Sequence, residues 1–289
     1  MKKTIKRLMT AVLTMAIMLV FVACTNTGKE AKIKEQTMRI ISVAPSITEL
    51  IYALGKGDQL VGRSDYCNYP EQASEVPSIG SLSEPNVEKI LELQPDIVFA
   101  SAHFKEDIAK NLEDLGIQIV VIYNAEDFNG SYDSINRVGE LINAKDKSQE
   151  LVVSLEKEIE AISEKVKEHE MPKVYYVVGF GKDGDYTATG DTFVARMIEV
   201  AGGENIAKDA TGWKYSLEKI IEEDPEYIFI SQNYGMKEAF ELAEGYKALS
   251  AVKNNKVIEI DDDLLNRQGP RLAQGVESLA KILHPDLFN

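Results

Sequence analysis

"KDKSQELVVSLEKEIEAISEKVKEHE", Lys145 to Glu170, decides how this chain is built. Leu151, Leu155, Ile159, Ile162 and Val166 recur at steps of four, four, three and four. That spacing draws one apolar stripe along a helix, with charge on the other faces. From Lys145 to His169 the helix would run about 37 Å at 1.5 Å per residue. Pro172 stops it, since proline has no N–H to give and its ring clashes with the preceding turn. The stretch reads as a stiff connector between two lobes; a surface helix inside one continuous domain would share its periodicity.

On both sides of the connector, short apolar runs bounded by turn residues alternate with helical patterns. Arg39–Val43, Asp96–Ala100, Ile117–Ile122, Lys173–Val178, Tyr227–Ile230 and Lys256–Ile260 read as buried strands. "APSITELIYALG" has Ser46 and Glu49 in capping-box spacing and closes on Gly55, so it reads as the helix after the first strand. Strand–helix alternation predicts an α/β fold: two Rossmann-like lobes with mostly parallel sheets, joined by one long α-helix. The expected organisation is a signal peptide over 1–23, a tether over 24–37, an N-terminal lobe over 38–144, the connecting helix over 145–170 and a C-terminal lobe over 171–289.

One segment occurs twice. "NVEKILELQPDIVFAS" (Asn86–Ser101) and "SLEKIIEEDPEYIFIS" (Ser216–Ser231) align without a gap, 130 residues apart. Asn86 and Ser216 are good N-cap residues. Glu88 and Glu218 then fall at the second helical position, with Ile90/Ile220 and Leu91/Ile221 expected to pack inward. Helix-dipole stabilisation accounts for a glutamate in either copy. A carboxylate presented by each lobe at the same turn also suits a partner with two cationic pockets.

The 289 residues carry a net charge of −15, the wrong sign for a nucleic-acid footprint. Lys2, Lys3, Lys6 and Arg7 precede an apolar run from Leu8 to Ala23, which has signal-peptide anatomy and is short for a membrane span. The run ends in "VFVAC", similar to a bacterial lipobox, and that similarity implies cleavage before Cys24 and its acylation. Cys67 is the other cysteine and reads as a small packed side chain. No nucleophile elbow, phosphate-binding glycine loop or metal triad is present, so catalysis is not expected. His169 and His284 share no zinc-type spacing with other ligands, and no resident metal or cofactor is expected.

The chain from Met38 onward resembles the substrate-binding proteins of bacterial ABC importers for vitamin B12 and iron chelates. The resemblance rests on "RIISVAPSITELIYALG", "SDYCNYP", "NVEKILELQPDIV", "MIEVAGGENIA" and "DDDLLNRQGPRLAQGVESLAKILHP". It implies a ligand cleft between the lobes and docking of Glu88 and Glu218 against arginines of a permease that works with an ATPase. It also places Tyr66, Trp213 and Arg271 at ligand-contact positions of the cobalamin branch.

In open α/β sheets ligands lie beyond the carboxyl ends of the strands. The loops expected there hold Tyr66, Tyr69, His103, Phe104, Phe180, Tyr186, Trp213, Tyr215, Tyr234 and Arg271. Tyr66, His103, Tyr186, Trp213 and Arg271 are the expected ligand contacts, and His103 could coordinate a metal centre carried by the ligand. The acidic run Asp261–Asp263 reads as a solvated strand end. Cobalamin is the expected cargo and a ferric siderophore or haem the alternative; a ligand sensor and a two-lobed enzyme are more distant readings. A monomer held to the extracytoplasmic face of the cell membrane by its lipid is expected.

Overall fold

The computed structural model describes residues 37–102, 104–123, 125–182 and 184–288; the expected signal peptide and Cys24 lie outside them. β1 (Ile40–Ser42) is fully buried and leads into α1 (Pro45–Ala53). Then follow β2 (Leu60–Arg63), α2 (Val87–Glu92), β3 (Ile97–Ser101), α3 (Glu106–Asp114), β4 (Gln118–Ile122) and α4 (Phe128–Leu141). The four strands form a parallel sheet in the order β2-β1-β3-β4. Ile97 to Ala100 are at most 3% exposed, as a parallel sheet covered on both faces requires.

α5 (Lys145–Val166) is the connector. After it come β5 (Lys173–Val177), β6 (Asp185–Tyr186), α6 (Phe193–Val200), β7 (Glu204–Asn205), β8 (Lys214–Tyr215) and α7 (Leu217–Glu223). β9 (Tyr227–Ser231), α8 (Lys237–Leu242), α9 (Ser250–Lys253), β10 (Val257–Ile260), α10 (Asp263–Asn266) and α11 (Leu272–Leu283) complete the chain. Read from β7, the C-terminal sheet has the order β7-β5-β9-β10, again all parallel. The repeated segment supplies β3 in one lobe and β9 in the other, and both take the same place in their sheets. β6 and β8 form a separate antiparallel pair.

The connector is helical for 22 residues, about 33 Å. It stops three residues before His169, whose N–H donates to the Val166 carbonyl at 3.0 Å in a closing turn. Val152, Leu155, Ile159, Ile162 and Val166 are buried, and Leu151 is half-buried at the edge of the stripe. The helix is not a bare rod. Its apolar face belongs to one core that takes in Ile40, Phe99 and Ile135 from the first lobe and Val174, Met197 and Leu279 from the second. Its far end is fitted by Gly202, at φ +83°, where a Cβ would come within 3.0 Å of Val166.

Two local expectations fail. α1 has no capping box: Ala44 is its N-cap, without a side-chain bond, and Pro45 opens the helix, where its fixed φ suits the first position. Ser46 is therefore inside the helix, and Glu49 is 2% exposed rather than reaching back to a cap. In the repeated helices Ile90 and Ile220 are fully buried, but Leu91 and Ile221 are 39% and 48% exposed. A helix turns about 100° per residue, so the position after a buried isoleucine is carried off the core face. Leu91 and Ile221 lie three residues beyond Glu88 and Glu218 and share their side of the helix.

Candidate functional site

The cleft between the lobes lies beyond the carboxyl ends of β1, β3 and β4. It encloses about 270 Å³. Ser46, Ser101, Ile122 and Glu126 line it from the N-terminal lobe, and Phe193, Trp213, Asn266 and Gln268 from the other. That volume is slightly below the range of about 300–1,000 Å³ usual for small-molecule sites. The rings at the strand ends extend the apolar surface outward: Tyr66 after β2, Tyr123 after β4 and Tyr234 after β9 are 59%, 73% and 71% exposed. The Ser101 hydroxyl, at the end of β3, has no hydrogen-bond partner among the described residues.

Trp213 is held in an unusual conformation. Its φ is +68° and that of Gly212 is +76°, and a bulky residue there is a backbone outlier. The loop is pinned on both sides. Trp213 N–H donates to Thr189 Oγ1 at 3.1 Å, and Gly212 N–H donates to Asp191 Oδ2 at 3.1 Å. Thr189 Oγ1 in turn donates to Asp191 Oδ1 at 2.5 Å. These bonds, the Thr189 hydroxyl foremost, hold the Asp191 carboxyl below its ordinary value.

Polar contacts cross the cleft floor. Glu126 Oε2 accepts from the Phe193 N–H at 2.9 Å, a carboxylate at the N-terminus of α6 where the helix dipole favours it. Ser131 Oγ donates to Gln268 Oε1 at 3.1 Å. The strongest crossing is made by Glu49. Arg271 forks onto it through Nε at 2.7 Å and Nη2 at 2.6 Å, and Arg267 Nη1 adds a third bond at 2.8 Å. The Glu49 side chain is 1% exposed and each arginine side chain 11%. Burial works against the charge on Arg271, but Glu49 more than offsets it, leaving its pKa above the ordinary value.

The expected contacts divide. Tyr66 is at the rim and Trp213 lines the cleft, while His103 lies outside the described residues. Arg271 is engaged by Glu49 and by the Tyr69 ring, 4.0 Å below its guanidinium, and is not among the residues that line the cleft. Tyr186 lines a groove on the C-terminal lobe of about 480 Å³, with Lys214, Tyr215 and Glu218, apart from the cleft-lining residues. Beside it Asp185 accepts from the Tyr246 hydroxyl, and burial pushes the Asp185 carboxyl up. Phe104 is core, Phe180 packs edge-on to Phe240 at 5.1 Å, and the Tyr215 hydroxyl donates to the Ile206 carbonyl at 2.8 Å. Asp262 is buried, accepting from Ser231 Oγ at 2.5 Å and Asn233 Nδ2 at 2.7 Å, so the middle of the acidic run is not solvated, while Asp261 and Asp263 are half-buried.

Reading the sequence missed Tyr123, Glu126, Gln268 and Arg267. The first two follow β4 and were within reach of the strand-end rule; the last two fall in the strand-end loop after β10 and in the motif beginning "DDDLLNRQGPR", where nothing singles out their side chains. Among the described residues no group of three metal-ligating side chains converges, and no helix is long and apolar enough to cross a membrane.

At the helix starts that the repeated segment supplies, Asn86 and Ser216 cap α2 and α7, accepting from Lys89 N–H at 3.0 Å and Lys219 N–H at 3.4 Å. Glu88 and Glu218 are exposed at the second helical position of each. Gln94 and Asp224, 130 residues apart, reverse the chain with φ of 44° and 42°. The constellation is one object, built twice.

Residues 40–264 match the model of a family described as periplasmic binding protein. The chain belongs to that family. This periplasmic binding protein is 36% identical over 269 residues to the ABC transporter substrate-binding lipoprotein YvrC of Bacillus subtilis (strain 168), covering 91% of this chain and 85% of that one. It is 31% identical over 248 residues to a vitamin B12-binding protein of Vibrio parahaemolyticus, covering 84% and 88%. The haem-binding protein RhuT of Roseiflexus sp. RS-1 has the same fold, with a TM-score of 0.78 and 25% identity over 87% of this chain and 99% of that one. Relatives of this kind bind ligands for ABC transporters, and the periplasmic binding protein described here is an extracytoplasmic substrate-binding protein of that class.

Proposed function

We propose that the protein is a lipid-anchored receptor that captures cobalamin between its lobes and delivers it to an ABC permease. The observation that carries the delivery step is the doubled constellation: N-cap, exposed glutamate and exposed aliphatic residue on α2 and again on α7. A single surface carboxylate is common; the same patch in both lobes fits a partner with two cationic, partly apolar recesses. Acylation at Cys24 would tether the receptor beside that partner.

The cargo reading is supported by the likeness to the Vibrio parahaemolyticus protein and by the rings around the cleft. A corrin offers flat faces to Tyr66 and Trp213 and peripheral amides to Ser101, Asn266 and Gln268. A ligand of that size would lie across the cleft mouth rather than inside its 270 Å³. The likeness to RhuT favours haem as the second reading, with His103 and Tyr66 as candidate axial ligands. Binding and docking require no covalent chemistry.

The test uses the one tryptophan in the chain. Emission of Trp213 is titrated with cyanocobalamin, haemin and a ferric siderophore, with correction for their absorption. Saturable quenching by cyanocobalamin that is lost in Tyr66→Ala supports the proposal. Saturation by haemin or the siderophore alone keeps the receptor and replaces its cargo; no response to any of them refutes the cargo class. Glu88→Ala and Glu218→Ala should lower uptake while leaving affinity unchanged.

A further inference from the structure

We infer that Glu49, Arg267 and Arg271 are positioning residues of the ligand cleft: the two arginines of the C-terminal lobe, held by Glu49, set the Tyr66–Tyr69 loop of the N-terminal lobe. The inference deepens the receptor reading above and rests on it for the loop's role in binding.

A buried ion pair is weak evidence for stability by itself, because apolar side chains of similar volume often serve as well. What charged groups add is direction. A guanidinium fork on a carboxylate fixes distance and plane together, and both arginines carry that geometry on to the loop. Arg267 Nη1 also donates to Asn68 Oδ1 at 2.8 Å, and Nη2 reaches the Tyr66 carbonyl at 3.5 Å. Arg271 stacks on Tyr69 at 4.0 Å. Asp263 holds Arg267 from its own lobe at 2.5 Å, so two carboxylates balance two guanidinium groups. Every contact in the group either crosses the lobe boundary or orients an arginine that does.

The Tyr66 backbone, the Asn68 side chain and the Tyr69 ring therefore take their position from residues about 200 positions later in the chain. Ordering is then complete before a ligand arrives, which removes a cost that binding would otherwise carry. Glu49 is the centre of the arrangement, since among the described residues it alone bonds to both arginines, and it comes from the lobe that owns the loop.

Hydrogen exchange on the full-length protein in detergent micelles tests this without any ligand. The amides of Ser64, Asp65 and Cys67, bonded to Ser42, Gly80 and Ser64, report on the loop; those of β1 and β3 report on the lobe. In Glu49→Gln the loop amides should exchange at least about tenfold faster while the strand amides keep their rate, with part of the protection restored in Glu49→Asp. Affinity for cyanocobalamin or haemin, whichever the wild type binds, should fall about 10- to 100-fold.

Should Glu49→Gln not fold, Arg267→Gln leaves the Arg271 fork intact and carries the same expectation. Unchanged loop exchange, or equal acceleration of loop and strands, overturns the inference, as does a loosened loop with undiminished affinity. If the wild type binds neither probe, the cargo reading fails while the exchange experiment still decides the positioning role.

Discussion

Replacing Trp213 by alanine and, separately, by glycine should move stability and affinity in different ways. At φ +68° an L-residue has its Cβ too close to the following carbonyl, a strain of about 1–2 kcal/mol. Glycine has no such strain but loses about 0.5–1 kcal/mol more chain entropy on folding. Both variants delete the same ring, so its burial cancels in their comparison. Trp213→Gly should therefore be more stable than Trp213→Ala by up to about 1.5 kcal/mol, the reverse of the order in an ordinary loop. Stacking of a flat ligand on one aromatic ring contributes about 1–3 kcal/mol in nucleobase sites. With cobalamin as the proposed cargo, affinity for cyanocobalamin should fall by that amount, roughly 5- to 150-fold, in both variants alike. Urea unfolding followed by circular dichroism gives the first quantity, and calorimetric titration the second. If Trp213→Ala is the more stable of the two, the left-handed loop is wrong. If affinity differs tenfold between them, backbone placement and not ring stacking is what Trp213 contributes.

Acid should loosen the same loop. Because the Asp191 carboxyl is held below its ordinary value, its stabilisation is full above the usual carboxylate range and is lost as pH falls through the lowered value. Trp213 emission should thus stay flat down to about pH 4 and change below it, and Asp191→Asn should remove that acid step. Leu155→Ala, at a position 3% exposed in the connector, should cost about 2–5 kcal/mol, which is at least 4 °C in melting temperature for a chain of this size at about 2–4 °C per kcal/mol. Both lobes should melt earlier together, and a shift confined to one lobe would contradict the shared core. Leu91→Ser with Ile221→Ser should leave melting within about 0.5 kcal/mol of wild type, as exposed positions do, and should reduce uptake in cells; undiminished uptake would remove the aliphatic pair from the docking patch.

Where a regular period was present, the sequence was legible. Six strands and the connector stripe follow from apolar runs and the 3.6-residue repeat, because burial of those side chains dominates whatever else the residues do. β2, with Gly62 at its centre, and the two-residue strands carry too little apolar pattern to be seen. Glu49 was misread for a physical reason: serine and glutamate three apart satisfy a capping box on paper, but Pro45 opens the helix ahead of Ser46, and two arginines from the far end of the chain claim the carboxylate. Long-range pairing leaves no local signal. The same holds for Arg271, whose likeness to a ligand contact could not disclose that Glu49 occupies its fork. Tyr186 was assigned to the cleft because its loop follows a strand, but β6 pairs with β8 and carries it to the Glu218 side.

The helix starts and the cleft walls treat the internal duplication differently, and that difference is informative about function. The caps, the glutamates, the exposed aliphatics and the left-handed reversals at Gln94 and Asp224 recur at one constant offset. Three residues before each cap the copies part: Ser83 stands in one lobe and Trp213, in its strained backbone, in the other. The arginine-held loop likewise belongs to one lobe only, with the arginines supplied by the other. Under the proposed function, a partner that meets both lobes in the same way would reward identical patches, and a cargo enclosed between them would see two unlike walls. The apolar face of the connector joins residues of both lobes in one core, and under the proposed function that common frame predicts that capture leaves the paired carboxylates in place. Large-scale closure on ligand addition, detectable as a marked fall in radius of gyration by X-ray scattering, would contradict that frame, whereas a movement limited to the rim rings and the Trp213 loop would agree with it.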